Sequence, residues 1–485
     1  MNIRDFARIP QGLLLLVLGI ILAAFNLANL YFNPVQCVDD RLSPGLVKAK
    51  WDEDTMENMA DHLREDMLPN SVSQELPPKV PLGSDAFWAL ESTRDFLKEN
   101  VATARQHFLK TLGEVKKYGE WNSTNGQPGF TRAVIVFMPG NLQRPHSRQF
   151  RALFLSWVRM RLEQPRSFKT DLIVATPEEN LKRLLNVGCT QDIRNNSSQS
   201  ERCIIRLYQP LIERRVEHFT ASDPLTEYDG FVDSVLCLAE FDSYHYDAVM
   251  RSDLDTLLMP GFADWTPPSR KTLVVGEGGY GNENANAHLN YVSMVLGLDI
   301  KEGLDGVGST WFGDTRLMVA CARLTINVMR WLHTQEFSTY EKSGMAGALG
   351  WPHWHWWALS MYGGHVALNQ VGSSTSVVVS SGKNGRMDYS STSVAKTSDR
   401  SIKHVHCWHT DDMFSKFQFG LGKYDDMDFT DREEMATVQD YVSLTAMSSI
   451  RLSDEELSRL ALDDTYAKSR QNWMRSKSAE VFDMV

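Results

Sequence analysis

The sequence predicts an α/β domain standing behind a membrane-spanning helix and a helical stem. Three stretches predict it. Residues 12–32 (GLLLLVLGIILAAFNLANLYF) run for 21 positions without a charge, long enough to cross a bilayer as a helix. Residues 131–176 read strand, helix, strand: a β-branched run ending in Pro139-Gly140-Asn141, a helical segment over 147–163, and a second apolar run over 171–176. That order opens a parallel βαβ sheet, whose ligand loops lie at the carboxyl ends of the strands. In the third stretch, YDAVMRSDLDTLLMPGF (residues 246–262), Asp253 and Asp255 sit between two apolar runs.

Arg4 and Arg8 precede the apolar run and Asp39 and Asp40 follow it, so residues 1–11 stay cytosolic and the rest crosses the membrane. A cleaved signal peptide is the competing reading, with Ala23, Ala24 and Ala28 near a cleavage point, but no clean A-x-A follows. Residues 33–125 read as a polar stem, helical over 52–67 and 84–118 with a Pro-rich break (LPPKVPLG) between. Six cysteines (37, 189, 203, 237, 321 and 407) suit an oxidising compartment, and Cys189 and Cys203 bracket a polar loop that they are expected to close. Asn122, Asn195 and Asn196 lie in glycosylation acceptor patterns. A formal charge of −11 over 485 residues, with no basic cluster, argues against a nucleic-acid binder.

On extended backbone Asp253 and Asp255 point one way and Leu254 the other. Charge flanked by apolar runs must be paired, hydrogen-bonded or bound to a cation. Two hard oxygen donors suit Mg2+ or Mn2+, which keep coordination positions open for phosphates. The plain alternative is an aspartate pair in a turn between strands. A second copy, Asp426-Met427-Asp428, lies in a polar stretch and reads as a solvated acidic face. Neither G-x-G-x-x-G nor G-x-x-x-x-G-K-[ST] occurs.

The short tail, single anchor, polar stem and strand entering Arg251-Ser252-Asp253-Leu254-Asp255 resemble a type II Golgi glycosyltransferase of the GT-A fold, over residues 130–425. The resemblance implies a GT-A-like mixed sheet flanked by helices over 126–430, a helical C-terminal extension over 431–485, and a lumenal catalytic domain on the Golgi or ER membrane. It further implies a nucleotide-sugar donor, a glycan or glycoprotein acceptor, and Mn2+ (or Mg2+) held by Asp253 and Asp255. Either His409 or His406 would be the third ligand, His409 being preferred because it ends the apolar run. Pro139, Gly140, Asn141, Arg144, Arg251 and Asp253 would face the nucleotide.

Several downstream stretches complete such a site. In VGEGGYG (275–281) glycines permit close backbone approach and Glu277 offers a carboxylate, unless the stretch is simply a flexible loop. Trp311-Phe312-Gly313-Asp314 resembles the W-G-x-[ED] acceptor segment of inverting enzymes, which makes Asp314 a candidate base. Asp before TRLMVACARL is equally a common helix N-cap. Trp354, His355 and Trp356 read either as a sugar platform or as a buried aromatic hub. His404 and His406 fall on one face of a strand, and Leu452 to Leu457 reads as a capped helix start. Two other classes stay open: a zinc hydrolase using His404 and His406 with Asp253 or Asp255, and a catalytically silent lumenal carbohydrate-binding protein.

Overall fold

The computed structural model describes residues 85–469, apart from 118–120, 122–128, 141–143, 192–201, 219–222, 242–244, 279, 281–282, 302–303, 305, 338–341, 343–353, 375, 381–386, 408–413 and 427–434. The expected membrane span, the stem before residue 85, Cys37 and the three glycosylation acceptors lie outside the described residues. No helix of the described residues is long and apolar enough to cross a membrane. The chain divides into two units, residues 1–92 and 93–485. The first is described only from Asp85, where helix α1 (Asp85–Lys117) begins.

After α1 the elements are β1 (Phe130–Phe137), α2 (Arg144–Leu162), β2 (Phe168–Thr176), α3 (Leu181–Asn186), β3 (Cys203–Leu207), α4 (Leu211–His218), α5 (Asp233–Ala239), β4 (Ala248–Arg251) and β5 (Thr256–Leu258). Then come β6 (Thr272–Glu277), α6 (Glu283–Val295), β7 (Val307–Asp314), α7 (Thr315–Trp331), α8 (Leu359–Ser374), β8 (Ser376–Ser380), β9 (Tyr389–Ser390), β10 (His404–His406), α9 (Lys416–Leu421), α10 (Val438–Arg451) and α11 (Asp454–Leu462).

One sheet runs β3-β2-β1-β4-β7-β6-β8, and a small one runs β5-β10-β9. In the large sheet β7 is antiparallel to both neighbours and every other pairing is parallel. The β-branched run of β1 is buried on both faces, as a sheet covered by helices on each side demands. Its alternate residues feed two cores. Ala133, Ile135 and Phe137 pack into one core with α5 and α7, while Val134, Val136 and Met138 pack into the other with α2. A third core joins the small sheet (Leu257, Val405) to Phe419 of α9 and to Val438, Tyr441 and Val442 of α10.

One expectation changes here. Residues 93–117, read as stem, place Leu97, Val101, Phe108, Leu112 and Val115 in the first core at helical spacing. Burying each such side chain stabilises the fold by about 1.5–3 kcal/mol, so this part of α1 belongs to the domain. The C-terminal helices pack onto it as well. Each starts with a capping box, Thr437 with Asp440 and Ser453 with Glu456, and Arg161 of α2 donates to the carbonyls of Ala461 (2.6 Å) and Leu460 (3.2 Å). Cys189 and Cys203 form the expected disulfide, and Cys237, Cys321 and Cys407 are free and buried.

Candidate metal centre

The chain passes from β1 to β2 and β3 on one side, then returns to place β4 on the other side of β1. The crevice at the carboxyl ends of β1 and β4 is therefore a topological switch point, the place where open α/β sheets bind ligands. β1 delivers Pro139-Gly140 to this edge, and β4 delivers Arg251 and then Ser252, whose N–H donates to Ile135 O at 3.0 Å.

Beyond Ser252 the backbone is a turn, not the extended strand that the i, i+2 spacing predicts. Thr256 Oγ1 donates to Asp253 O (2.7 Å), and Ser252 Oγ lies 2.8 Å from Thr256 Oγ1 and 2.9 Å from His404 Nε2. Leu254 is buried in the second core and anchors the turn. The chain then leaves the large sheet and enters the small one, where Thr256 pairs with His406 and Cys407 N–H donates to Asp255 O at 2.9 Å. The turn holds both carboxylates outward. Asp253, Asp255 and His406 offer ligand atoms within 4.8 Å of one another, all three half-buried.

This donor set, two carboxylates and one imidazole, fits a divalent cation such as Mn2+ or Mg2+. His406 meets the expectation of a histidine third ligand, whereas His409 lies outside the described residues. The H-x-H does not supply a pair of ligands. Among the described residues His404 is fully buried and turned to Ser252, which leaves His406 as the imidazole at the centre.

Asp388 sits under the centre and was not visible in the sequence. Its Oδ1 lies 3.1 Å from His404 Nδ1, 3.8 Å from His406 Nδ1 and 2.6 Å from Thr310 Oγ1. It is within hydrogen-bond reach of buried His404 and of Thr310, and acts on His406 through charge. Asp388 holds a left-handed φ of 53°, which Asp tolerates better than most residues. One glycine of VGEGGYG has its explanation here: a Cβ on Gly276 would lie 1.8 Å from Asp388 Oδ2. The close approach that Gly276 permits is to Asp388.

The charges are interlocked. Burial alone would raise the Asp255 carboxyl, but Lys416 and His406 outweigh it and hold Asp255 well below the usual carboxylate range. Burial works against a charged His406, yet Asp255 and Asp388 prevail and raise it to about 9. Lys416 Nζ, at the first position of α9, rests on Asp255 Oδ2, and His406 Nε2 lies 3.5 Å from the same oxygen.

The other expected site residues divide. Glu277 ends β6, which runs parallel to β4, so it stands exposed on the same sheet edge. Arg251 is buried over the Trp311 ring and donates to Ser234 O (2.9 Å), Ser234 Oγ (2.7 Å) and Ser309 O. Each of its three nitrogens thus donates to protein, and Arg251 stands 3.9 Å from Asp253. Asp314 is a correction too. Because β7 is antiparallel, Asp314 pairs with Ala248 at the opposite end of β4, where it caps α7 by accepting from Arg316 N–H (3.0 Å) and binds Arg270 (3.1 Å). Arg144 opens α2, and Asn141 lies outside the described residues. Trp354 and Trp356 are buried in the first core, with Trp354 stacked on Tyr362 and Phe337, and half-buried His355 accepts from Trp357 N–H (3.2 Å). The exposed indole is that of Trp357, beside exposed Phe231.

Fold and centre together define an α/β protein with a candidate cation site, Asp253, Asp255 and His406, at its sheet switch point. The chain belongs to the family of the domain of unknown function DUF7164, whose model matches residues 127–474. A search of curated proteins returns no match. Among solved structures the chain is similar to the apo bifunctional glycosyltransferase WbbM, at a TM-score of 0.33 and 13% identity over 68% of this chain and 52% of that one. It thus spans about half the length of that structure. It is also similar to apo mouse xyloside xylosyltransferase 1, at a TM-score of 0.29 and 12% identity over 52% of this chain and 85% of that one. Both scores are low, and the functional reading rests on the site itself.

Proposed function

We propose that this protein is a metal-dependent glycosyltransferase that moves a sugar from a nucleotide-sugar donor to a glycan or glycoprotein acceptor. One observation carries the reading: Asp253, Asp255 and His406 converge at the switch point between β1 and β4. These three residues would hold Mn2+ or Mg2+, and the ion would supply Lewis-acid neutralisation of the departing nucleoside diphosphate. Pro139-Gly140, across the crevice, lines the path of the nucleotide. Glu277, exposed on the same edge, takes the acceptor proton if the reaction inverts the anomeric centre. Trp357 and Phe231 are exposed aromatic surface for an acceptor sugar, linked to the centre through Ser234, whose Oγ donates to Phe231 O (2.9 Å) and receives Arg251. The apolar run over 12–32 and the Cys189–Cys203 disulfide support a type II protein of the Golgi or ER membrane with the domain in the lumen.

The test is donor cleavage by the full chain across a panel of nucleotide sugars, with Mn2+ or with EDTA. Release of nucleoside diphosphate from one donor is expected, and it is abolished by EDTA and by Asp255→Ala. A chain that neither cleaves nor binds any donor, and whose melting temperature Mn2+ leaves unmoved, would sink the proposal.

A further inference from the structure

We infer that Lys416 is a tethered counter-cation of the centre, which a divalent ion must displace from Asp255 in order to bind. The inference rests on the metal-site reading above and deepens it. The triangle of Asp253, Asp255 and His406 presents Asp255 Oδ2 next to His406 Nε2, 3.5 Å apart. That same Oδ2 carries the Lys416 ammonium. An ion coordinated by Oδ2 and the imidazole would stand within a few ångströms of Nζ, in a partly buried site where like charges repel strongly. The two cations therefore exclude one another. Lys416 is nonetheless well placed to yield, because its ammonium rides on a flexible four-carbon stem and makes a point contact rather than a two-pronged one. Its backbone stays fixed at the start of α9, where Ser415 caps the helix by accepting from Gln418 N–H. Binding of the ion then frees a positive charge at the mouth of the crevice. Diphosphate chemistry can use such a charge.

Mn2+ affinity of the full chain, read from the paramagnetic resonance signal of the free ion, tests this. Lys416→Met keeps the apolar stem and removes the competitor. It should bind Mn2+ roughly tenfold tighter, the size expected for losing one hydrogen bond to a charged group. Lys416→Arg, whose planar fork can grip Asp255 with two prongs, should bind Mn2+ more weakly than the original chain. Equal or weaker binding by Lys416→Met, with the original chain binding Mn2+, would overturn the inference and leave the metal site standing. If neither chain binds Mn2+, the metal reading fails and takes the inference with it. A second readout needs no variant: acylation of Lys416, followed by mass spectrometry, should accelerate when Mn2+ is added, and an unchanged rate counts against displacement.

Discussion

The two ends of β4 carry similar groups and treat them differently. At the start, Asp247 and Asp314 share Arg270, at 3.3 and 3.1 Å. Their remaining oxygens are taken by backbone N–H groups, Thr131 on Asp247 (3.0 Å) and Arg316 on Asp314 (3.0 Å). At the other end Asp253 meets Arg251 only at 3.9 Å, and Asp255 rests on the side chains of Lys416 and His406. Two carboxylates and a cation occur in both places. Where the partners are main-chain donors and a planar guanidinium, the carboxylates are locked into the fold. Where the partners are a lysine stem and an imidazole, the charge stays exchangeable, and of the two ends it is that one which gathers three candidate ligands.

Removing Asp388 should separate the two ends most sharply. Asp388→Ala leaves His404 and Thr310 without their hydrogen-bonded carboxylate and His406 without a negative charge 3.8 Å away. This loss of support behind the ligands should weaken metal binding by about tenfold, the low end for groups behind a metal ligand. Asp388→Asn, which keeps the shape and tolerates the left-handed backbone, should lose less. Titration calorimetry with Mn2+ checks both variants; unchanged affinity in Asp388→Ala would reduce the network to a structural role.

A smaller effect should appear with pH. His406 titrates at about 9 in the fold against an ordinary value near 6.5. A raised histidine contributes stability that is complete below 6.5 and disappears as pH climbs through 9. In EDTA the melting temperature should fall across that window, and His406→Gln should remove the part of the fall due to this group. Mn2+ affinity should move the other way, tightening as pH rises, because a ligating imidazole must be neutral.

The smallest effect belongs to the opposite end. Asp314→Ala removes an N-cap, at a cost of about 1 kcal/mol, and should lower the melting temperature by roughly 2–4 °C or less in a chain of this size. Mn2+ affinity should not change, and Asp314→Asn, which keeps the capping oxygen, should melt near the original. A loss of Mn2+ binding in Asp314→Ala would erase the distinction between the two ends.

These contrasts mark what could be read from the chain. The strands of the βαβ start, the aspartate pair, the disulfide and the capped helix start at Ser453 were legible because each is a local pattern with a local cause. Asp314 misled because a general base and a helix cap both call for Asp in the same context, and the antiparallel course of β7, a property of pairing, decides between them. The resemblance placed Arg251 toward a nucleotide, whereas the fold buries it against Trp311 with each nitrogen donating to Ser234 or Ser309. The polar face of α1 hid its apolar stripe, which contributes Leu97 to Val115 to the core. Asp388 and Lys416 had no signature at all. Each reaches the centre from more than a hundred residues downstream of the aspartates, through a small sheet whose strands are only two or three residues long.

That small sheet also sets a timetable. Lys416 follows Asp255 by 161 residues, and His404 follows Ser252 by 152. At about 5–20 residues per second, a ribosome needs roughly 10–30 s to make the intervening chain. Throughout that interval the nascent polypeptide carries the two aspartates with neither histidine nor lysine to meet them. A product cut short before β10 holds the whole motif and still lacks the centre, because His406 and Lys416 have not yet been made.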